Sequence, residues 1–149
     1  MSAFVGRDFI VNFAIAKEDA STASLVWQRL GMMRGKKMAG NWDTVDTTAD
    51  QSPSFTKTNL VTFKDVSFEG DGVTYSDTLF NQDAFRLHVL SPGSATDNQP
   101  KVWLQLIFPS TGKKYEGPFI VTKWEDDAPY ADAAKWSMSA KSNGDVSYA

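Results

Sequence analysis

The sequence predicts one domain of mainly antiparallel β-structure with a single α-helix, arranged as a β-sandwich or half-barrel. Three observations predict it. In most segments, every second residue is apolar, which is the period of a β-strand. In one segment, the apolar residues recur at the three- to four-residue spacing of an α-helix, and turns that contain glycine or proline separate the segments. The 149 residues are one ordinary domain in length, and we assign residues 1–149 to it.

The first strands are predicted in the N-terminal third. Alternation from Phe9 to Ile15 predicts a strand with one strongly apolar face. Residues 24–33 fit a short helix or a strand, and the glycines that follow favour a strand. Residues 41–48 are rich in threonine and other β-branched residues and are expected to be extended.

Residues 60–69 predict a strand whose apolar face changes partway. Val61 and Phe63 fall on one face, whereas Val66 and Phe68 fall on the other. Such a change predicts a β-bulge or a strand that is apolar on both sides. The glycines of residues 70–72 are expected to end this strand.

Residues 78–90 predict the helix. Phe80, Ala84 and Leu87 share one face at helical spacing, with Leu79 and Leu90 beside them, and this face is expected to cover the sheet. Ser76 or Asp77 is expected to cap the N-terminus, and the sequence Ser-Pro-Gly at residues 91–93 is expected to end the helix.

The C-terminal part predicts three more strands. Residues 102–108 are apolar on both faces, and residues 115–124 are expected to pair with them, with a kink at Gly117 and Pro118. Residues 125–131 predict an acidic turn and residues 135–141 a last strand. Asn143 and Gly144 predict a hairpin-type turn near the end.

Composition excludes several classes of protein. Without cysteine there are no disulfides and no thiolate chemistry. No apolar run is long enough to span a bilayer, and Arg7, Asp8 and Asn12 interrupt any signal-peptide core, so we expect no membrane association and a cytoplasmic origin. The net charge of −3 and the pI of about 5.0 argue against tight non-specific nucleic-acid binding.

No catalytic or metal-binding constellation is evident in the sequence. His88 is the only histidine and has no nucleophile or metal-ligand partner at useful spacing. Asp43, Asp46 and Asp50 lack the glycine and the distal glutamate of a calcium loop. We therefore expect no enzyme activity, no cofactor and no metal.

A long polar excursion at about residues 40–57 is the most informative feature. Compact domains seldom carry such a segment without using it, and we interpret it as a loop ordered by contact with another copy of the chain. Among the tryptophans, Trp103, Trp124 and Trp136 are expected in the core or an interface, and Trp42 is expected to be buried by a partner. The alternative is a carbohydrate-binding β-sandwich that stacks sugars on exposed tryptophans.

Two stretches resemble a known family. The run WDTVDTTADQSPSF followed by a strand closing in VSFEGDGV, and the C-terminal DAPYADAAKWSMSAKSNGDVSY, are similar to the tail tube (major tail) proteins of tailed bacteriophages. The resemblance implies hexameric rings that stack into a hollow tube. Neighbouring subunits would close a continuous inner β-barrel, with the helix outside it and the long loop reaching the next ring. DNA would pass through without specific binding.

The resemblance also implies partners and a location. The partners would be further copies of the chain and other tail proteins such as the tape measure, tail terminator and tail tip. The protein would reside in the virion tail after assembly in the host bacterial cytoplasm. Tube proteins of contractile tails and of secretion systems share the fold and remain alternatives.

Three hypotheses assign residues to this assembly. Basic and acidic patches would meet between subunits or rings, with Arg29, Arg34, Lys36 and Lys37 opposite the loop aspartates Asp43, Asp46 and Asp50 or the run Glu125, Asp126 and Asp127. Trp42 and Phe55 would anchor the loop in the adjacent ring. One polar face of the strand around residues 57–69 would line the channel, but the sequence does not fix which face.

Overall fold

The computed structural model describes residues 3–49, 56–57, 59–75 and 78–149. Within these ranges the strands form one antiparallel sheet of eight strands, accompanied by one α-helix. The elements are β1 (Ile10–Ala14), β2 (Gln28–Arg29), β3 (Met33–Asp46), β4 (Asn59–Val73), α1 (Gln82–Leu90), β5 (Lys101–Ile107), β6 (Lys114–Asp127), β7 (Lys135–Ser142) and β8 (Ser147–Tyr148). The predicted mainly β fold with one helix is confirmed.

The sheet is open and bends back on itself. Its order is β2-β1-β5-β6-β7-β4-β3, with β8 paired to β6. Val11 and Phe13 of β1 nevertheless share one buried cluster with Val66 and Phe68 of β4, although these strands are far apart in the sheet. Strands from the two ends of the order therefore enclose the core as a half-barrel.

A lysine side chain joins the two ends of the curled sheet. Lys36 on the edge strand β3 donates hydrogen bonds to the carbonyl oxygens of Gly6 (3.1 Å) and Phe9 (2.6 Å), just before β1. No backbone ladder between described residues links β3 with β1. The outer edge of β3 thus has no strand partner within the described part of the subunit.

The last predicted strands have the expected faces. Trp136, Met138 and Ala140 of β7 alternate inward and are at most 2% exposed. In β5, five consecutive residues from Val102 to Leu106 are buried, the polar Gln105 among them, so both faces of this strand are packed as its apolar residues predict. These strands form the centre of the core.

The helix is present, but the predicted inward face is wrong. Phe85 is fully buried and packs against Phe13 and Trp124 at ring centroid distances of 5.0 and 5.3 Å, whereas Leu87 and Leu90 are 66% and 70% exposed. The face chosen from the apolar spacing therefore points outward. The structure describes neither predicted cap, Ser76 nor Asp77.

Buried carbonyl groups explain this rotation of the helix. The Gln82 side-chain amide donates to the carbonyl oxygens of Gly31 (3.1 Å) and Val73 (3.0 Å). His88 Nε2 lies 2.8 Å from the Lys101 carbonyl oxygen, so a protonated Nε2 donates to it. Buried carbonyl groups need donors, and the helix turns Gln82 and His88 inward to supply them.

Around residues 24–33 and 70–72 the predicted strand bounds are wrong. In the first segment, strand is confined to Gln28–Arg29 and to Met33, where β3 begins, because Met32 takes a left-handed conformation (φ 59°) that turns the chain into β3. In the second segment β4 continues to Val73. A Cβ atom at Gly72 would collide with the Met32 carbonyl oxygen, so this glycine permits close approach of two backbones rather than a turn.

The predicted β-bulge is confirmed in the β3–β4 ladder. Trp42 lies opposite Lys64 and Thr44 lies opposite Val61, so β4 holds one residue more than β3 between these pairs. The extra residue reverses the alternation of faces along β4. This reversal explains why Val61 and Phe63 follow one parity and Val66 and Phe68 the other.

The acidic turn and the kink in β6 are also misplaced. Glu125 to Asp127 belong to β6 and pair with β7, so the turn begins after Asp127. The register is regular at Gly117 and Pro118, and the irregularity lies between Val121 and Lys123. The bend at Asn143 and Gly144 leads to β8, which pairs with β6 instead of forming a hairpin with β7.

Candidate inter-subunit surfaces

The outer ends of β3 and β4 form a two-stranded ribbon, residues 41–46 and 59–65, which we call the arm. Every residue of the arm is exposed. Its side chains contact the rest of the subunit at its base, where Lys64 forms an ion pair with Asp145 (3.2 Å) and Asp65 accepts a 3.4 Å hydrogen bond from Ser142. The first part of the predicted loop 40–57 is therefore strand, because residues 41–46 pair with residues 59–65.

The arm exposes apolar side chains on both of its faces. Trp42 (53% exposed) and Val61 (51%) lie on the face of the β3–β4 ladder that faces the core within the body of the subunit. Leu60 (60%) and Val45 (50%) lie opposite each other on the other face. Phe63 is 75% exposed. An isolated two-stranded ribbon is at best marginally stable in water, so this arm has the properties of a segment that is completed by a partner.

The acidic residues of the arm have no counter-ion in the described part of the subunit. Neither Asp43 nor Asp46 forms an ion pair. Asp46 accepts a 2.8 Å hydrogen bond from the Thr48 N–H, and hydrogen bonding to Thr48 lowers the pKa of its carboxyl group. Two other predicted contact residues, Asp50 and Phe55, lie outside the described residues.

A basic depression lies at the other end of β3, where the sheet ends are joined. We call it the seam groove. It comprises two adjoining depressions of about 200 and 340 Å³ that share Phe9 and Lys36. Its charged members are Arg7, Arg29, Arg34 and Lys36. Arg7 escaped sequence reasoning because only the curling of the sheet brings the N-terminal segment beside β3.

Lys36 has an internal role in this groove. Burial, and then the charge of Arg29, lowers the pKa of its ammonium group. Its ammonium group donates hydrogen bonds to the carbonyl groups of Gly6 and Phe9 in its own subunit. Lys37 lies in the ladder opposite Glu69, outside the seam groove, so the basic stretch of the sequence divides between two surfaces.

The three consecutive acidic residues of β6 also have different surroundings. Asp126 binds the Arg86 guanidinium group through both oxygens (2.8 and 3.0 Å), and this bonding lowers the pKa of its carboxyl group. Glu125 forms an exposed ion pair with Lys123 (2.8 Å). Asp127 is exposed and lies opposite Lys135 in the ladder. Arg86 thus ties α1 to β6, and Asp126 is used inside the subunit.

The face of β3, β4, β7 and β6 that points away from the core is polar, and we call it the polar face. Lys37, Glu69, Ser139 and Lys123 form one row across these strands. An open depression of about 540 Å³ lies over it. Its polar members carry carboxylates and lysines in equal number: Lys37, Ser67, Glu69, Asp71, Lys123, Glu125, Asp127, Lys135, Ser137, Ser139 and Lys141.

The described residues contain neither a metal-binding cluster nor a membrane-spanning helix. They contain no cluster of three or more histidine, cysteine, aspartate or glutamate side chains able to hold a metal ion. In the same ranges, no helix has the length and apolar character needed to cross a membrane.

Trp103, Trp124 and Trp136 lie in or against the core, and Trp124 stacks on Trp136 at 4.9 Å.

Solved structures share this fold. The tail of an empty gene transfer agent particle, computed with six-fold helical symmetry, matches with a TM-score of 0.73 and 21% identity over 99% of both chains. The virion of a native gene transfer agent matches with a TM-score of 0.74 and 19% identity, again over 99% of both chains. The SPP1 tail tube matches with a TM-score of 0.65 and 14% identity, covering 98% of this chain and 78% of that one.

Comparison of the sequence with curated proteins found no match. A sequence profile described as phage tail tube protein matches residues 3–148, nearly the whole chain. That match agrees with the shared fold and with the resemblance seen in the sequence. The chain belongs to the phage tail tube protein family.

Proposed function

We propose that this tail tube protein polymerises as stacked hexameric rings into a hollow tube through which DNA leaves the particle. The arm carries the proposal, because it exposes apolar residues on both faces and has little contact with its own subunit. The six-fold tail of the gene transfer agent, whose fold this chain shares, supports rings of six.

The open edge of β3 supports closure between copies. An exposed edge strand invites pairing with another chain, and closing a barrel removes such edges. Unlike surfaces that meet repeatedly build rings when the rotation closes and filaments when it does not. In the tube, neighbouring copies would complete one inner barrel, and the arm would dock on an adjacent copy.

The polar face has the properties expected of a channel lining. Its lysines and carboxylates are equal in number, and one pair, Lys123 and Glu125, is already joined within the subunit. Without a basic excess, a surface gains little from neutralising phosphates. We assign this face to the lumen, where DNA would slide without specific binding.

The remaining assignments follow from a role in the tail. The partners would be other copies and tail proteins such as the tape measure, terminator and tip, with assembly in the host cytoplasm and no catalysis. Among the candidate contact residues, Arg34, Trp42, Asp43 and Asp46 are exposed outside the polar face, whereas Lys37, Glu125 and Asp127 belong to that face and are assigned to the lumen with it. Asp50 and Phe55 are retained from the sequence.

Removing the arm tests the proposal. Asn41 and Asp65 lie opposite each other, so a two-residue Asn-Gly turn can replace residues 42–64 without disturbing the body. We expect the truncated chain to remain folded and to form monomers or single rings, while the wild-type chain forms tubes. Negative-stain microscopy and sedimentation velocity distinguish these products.

A matched pair of substitutions separates an arm effect from a general loss of exposed apolar surface. Phe63 in the arm and Val26 outside it are 75% and 73% exposed. Phe63→Ser should reduce tube formation, whereas Val26→Ser should not. Long tubes from the truncated chain would refute docking by the arm, and a wild-type chain that stays monomeric at every concentration would refute the tube itself.

A further inference from the structure

The arm and the seam groove lie at opposite ends of the same strand. β3 begins at Met33, beside the groove, and ends at Asp46 in the arm. At a rise of about 3.3 Å per residue, these ends are roughly 40 Å apart. One subunit therefore cannot bring its own arm into its own groove, but two subunits in line can bring the arm of one to the groove of the other.

The two ends carry opposite charge. The β3 strand of the arm contains Asp43 and Asp46 and no basic residue between positions 41 and 46. In the groove, Arg7, Arg29 and Arg34 are exposed, and none of them forms an ion pair with a described residue.

Two carboxylates offset the charge of the groove only in part. The negative charge of Asp8 attracts the Lys36 ammonium group. The charge of Asp132 attracts Arg34, but Asp132 also forms an ion pair with Lys135 at 3.6 Å. Against them stand the three exposed guanidinium groups and the ammonium group of Lys36. The groove keeps a basic excess that the acidic end of β3 can complement.

Apolar contacts are available at both ends as well. The groove is lined by Phe9, which is half-buried, and Met32, which is 39% exposed. The arm offers the large indole ring of Trp42, 53% exposed and close in sequence to Asp43. A partly exposed apolar floor with a rim of arginines suits a tryptophan that has carboxylates on the same strand, here Asp43 and Asp46.

We infer that the seam groove of one copy receives the acidic arm of a second copy, so that subunits contact head to tail along the direction of β3. This inference rests on the proposed function and names the surface on which the arm docks. The charges would set the register and the rate of encounter, and apolar burial of Trp42 would supply most of the affinity.

A charge exchange tests the contact in the full-length chain. The first variant carries Arg29→Glu and Arg34→Glu in the groove, and the second carries Asp43→Lys and Asp46→Lys in the arm. In each, like charges would meet, and we expect tube growth to slow on the order of ten-fold or more while single rings persist. The quadruple variant, and an equal mixture of the two double variants, should recover growth because opposite charges meet again.

Controls keep the result interpretable. Lys113→Glu with Lys114→Glu, at the β5–β6 turn and the first residue of β6, makes the same change in net charge as the groove variant and should leave growth unchanged. Circular dichroism and thermal melts of the free subunits show whether each variant folds. Recovery in the mixture cannot come from unfolded chains, since both partners must dock.

The outcomes separate this inference from the proposed function. Growth of both double variants at the wild-type rate, or slow growth that neither the mixture nor the quadruple variant recovers, would overturn the groove as the docking site while wild-type tubes still support the tube. Loss of single rings as well as tubes would place the contact within a ring and overturn the head-to-tail direction. Absence of wild-type tubes would remove the proposed function itself.

Discussion

Gln82 is the residue that most tightly joins the helix to the sheet. Its side chain is 1% exposed, donates to the carbonyl groups of Gly31 and Val73, and accepts a 2.9 Å hydrogen bond from the Tyr75 N–H. These three groups lie just before β3 and at the end of β4. One amide therefore satisfies the backbone where the two strands of the arm hairpin enter and leave the body.

Replacing Gln82 by leucine should destabilise the subunit strongly. Gln82→Leu keeps the volume but leaves buried backbone groups without partners, and we expect a loss of roughly 2–4 kcal/mol in the free energy of unfolding. Urea unfolding followed by tryptophan fluorescence measures it. The exposed Gln99 serves as control, where Gln99→Leu should change stability by less than about 0.5 kcal/mol. A loss below about 1 kcal/mol at Gln82 would show that water replaces the amide.

For single residues, the sequence predicts which side chains are buried where apolar residues alternate along a strand. It fails where a backbone group that is distant in sequence determines which way a side chain points. Trp136, Met138 and Ala140 alternate within one strand, and their inward direction is visible in the sequence. The inward direction of Gln82 and His88 depends on carbonyl groups of Gly31, Val73 and Lys101, which only the fold brings near. No local pattern identifies those acceptors.

Among the elements, α1 differs most clearly from the prediction, because the face predicted to point inward is exposed. Its apolar residues Leu87 and Leu90 lie outside, and its core contact is Phe85, between Phe13 and Trp124. Arg86 fixes the rotation by binding Asp126 on β6 with two hydrogen bonds. The helix is therefore held by the Phe85 ring, by the partly buried side chain of Val89 against the core, and by polar bonds at its ends and flank.

Two alanine substitutions distinguish the faces of α1. Phe85→Ala should lower the free energy of unfolding by about 3–5 kcal/mol, because it removes a fully buried ring. Leu87→Ala should change it by less than about 0.5 kcal/mol in the free subunit, because that side chain is 66% exposed. Thermal melts of both variants at low concentration provide the test. Equal losses would contradict the observed rotation of the helix.

The strands show which element boundaries the sequence can predict. The bulge in β4 was predictable, because the apolar residues change from odd to even positions along one strand, and such a change has few other causes. The ends of β3 and β4 were not, since glycines at positions 35, 40, 70 and 72 look like turns in sequence. In the structure they lie within paired strands, and close approach of the backbone at Met32 requires the one at position 72.

For the whole molecule, the fold class and the family were accessible from sequence, but the surfaces were not. Trp42 and the aspartates of the arm stood out because they interrupt the apolar pattern. The seam groove is assembled from the N-terminal segment between Gly6 and Val11, from residues 29–36 and from Leu106, and the polar face is assembled from four strands. Both depend on the curvature and order of the sheet, which alternation within one strand does not encode.

The position of the polar face in the assembly can be tested by labelling. The chain contains no cysteine, so Lys141→Cys on the polar face and Ala84→Cys on the exposed side of α1 each introduce one thiol. In free subunits, both thiols should react with small and polymer-linked maleimides. In tubes, the thiol at position 141 should react with the small reagent and not with the bulky one, because only small molecules enter a narrow channel. Equal reaction of position 141 with both reagents in tubes would exclude it from the lumen.

The unlike ends of β3 determine the direction in which a tube grows and how its growth can be stopped. If each added copy docks an arm into a groove, one terminus of the column always offers unfilled grooves and the other always offers free arms. Elongation is then directional. A capping factor has to imitate only one of these termini to arrest it, leaving the opposite terminus available for attachment elsewhere.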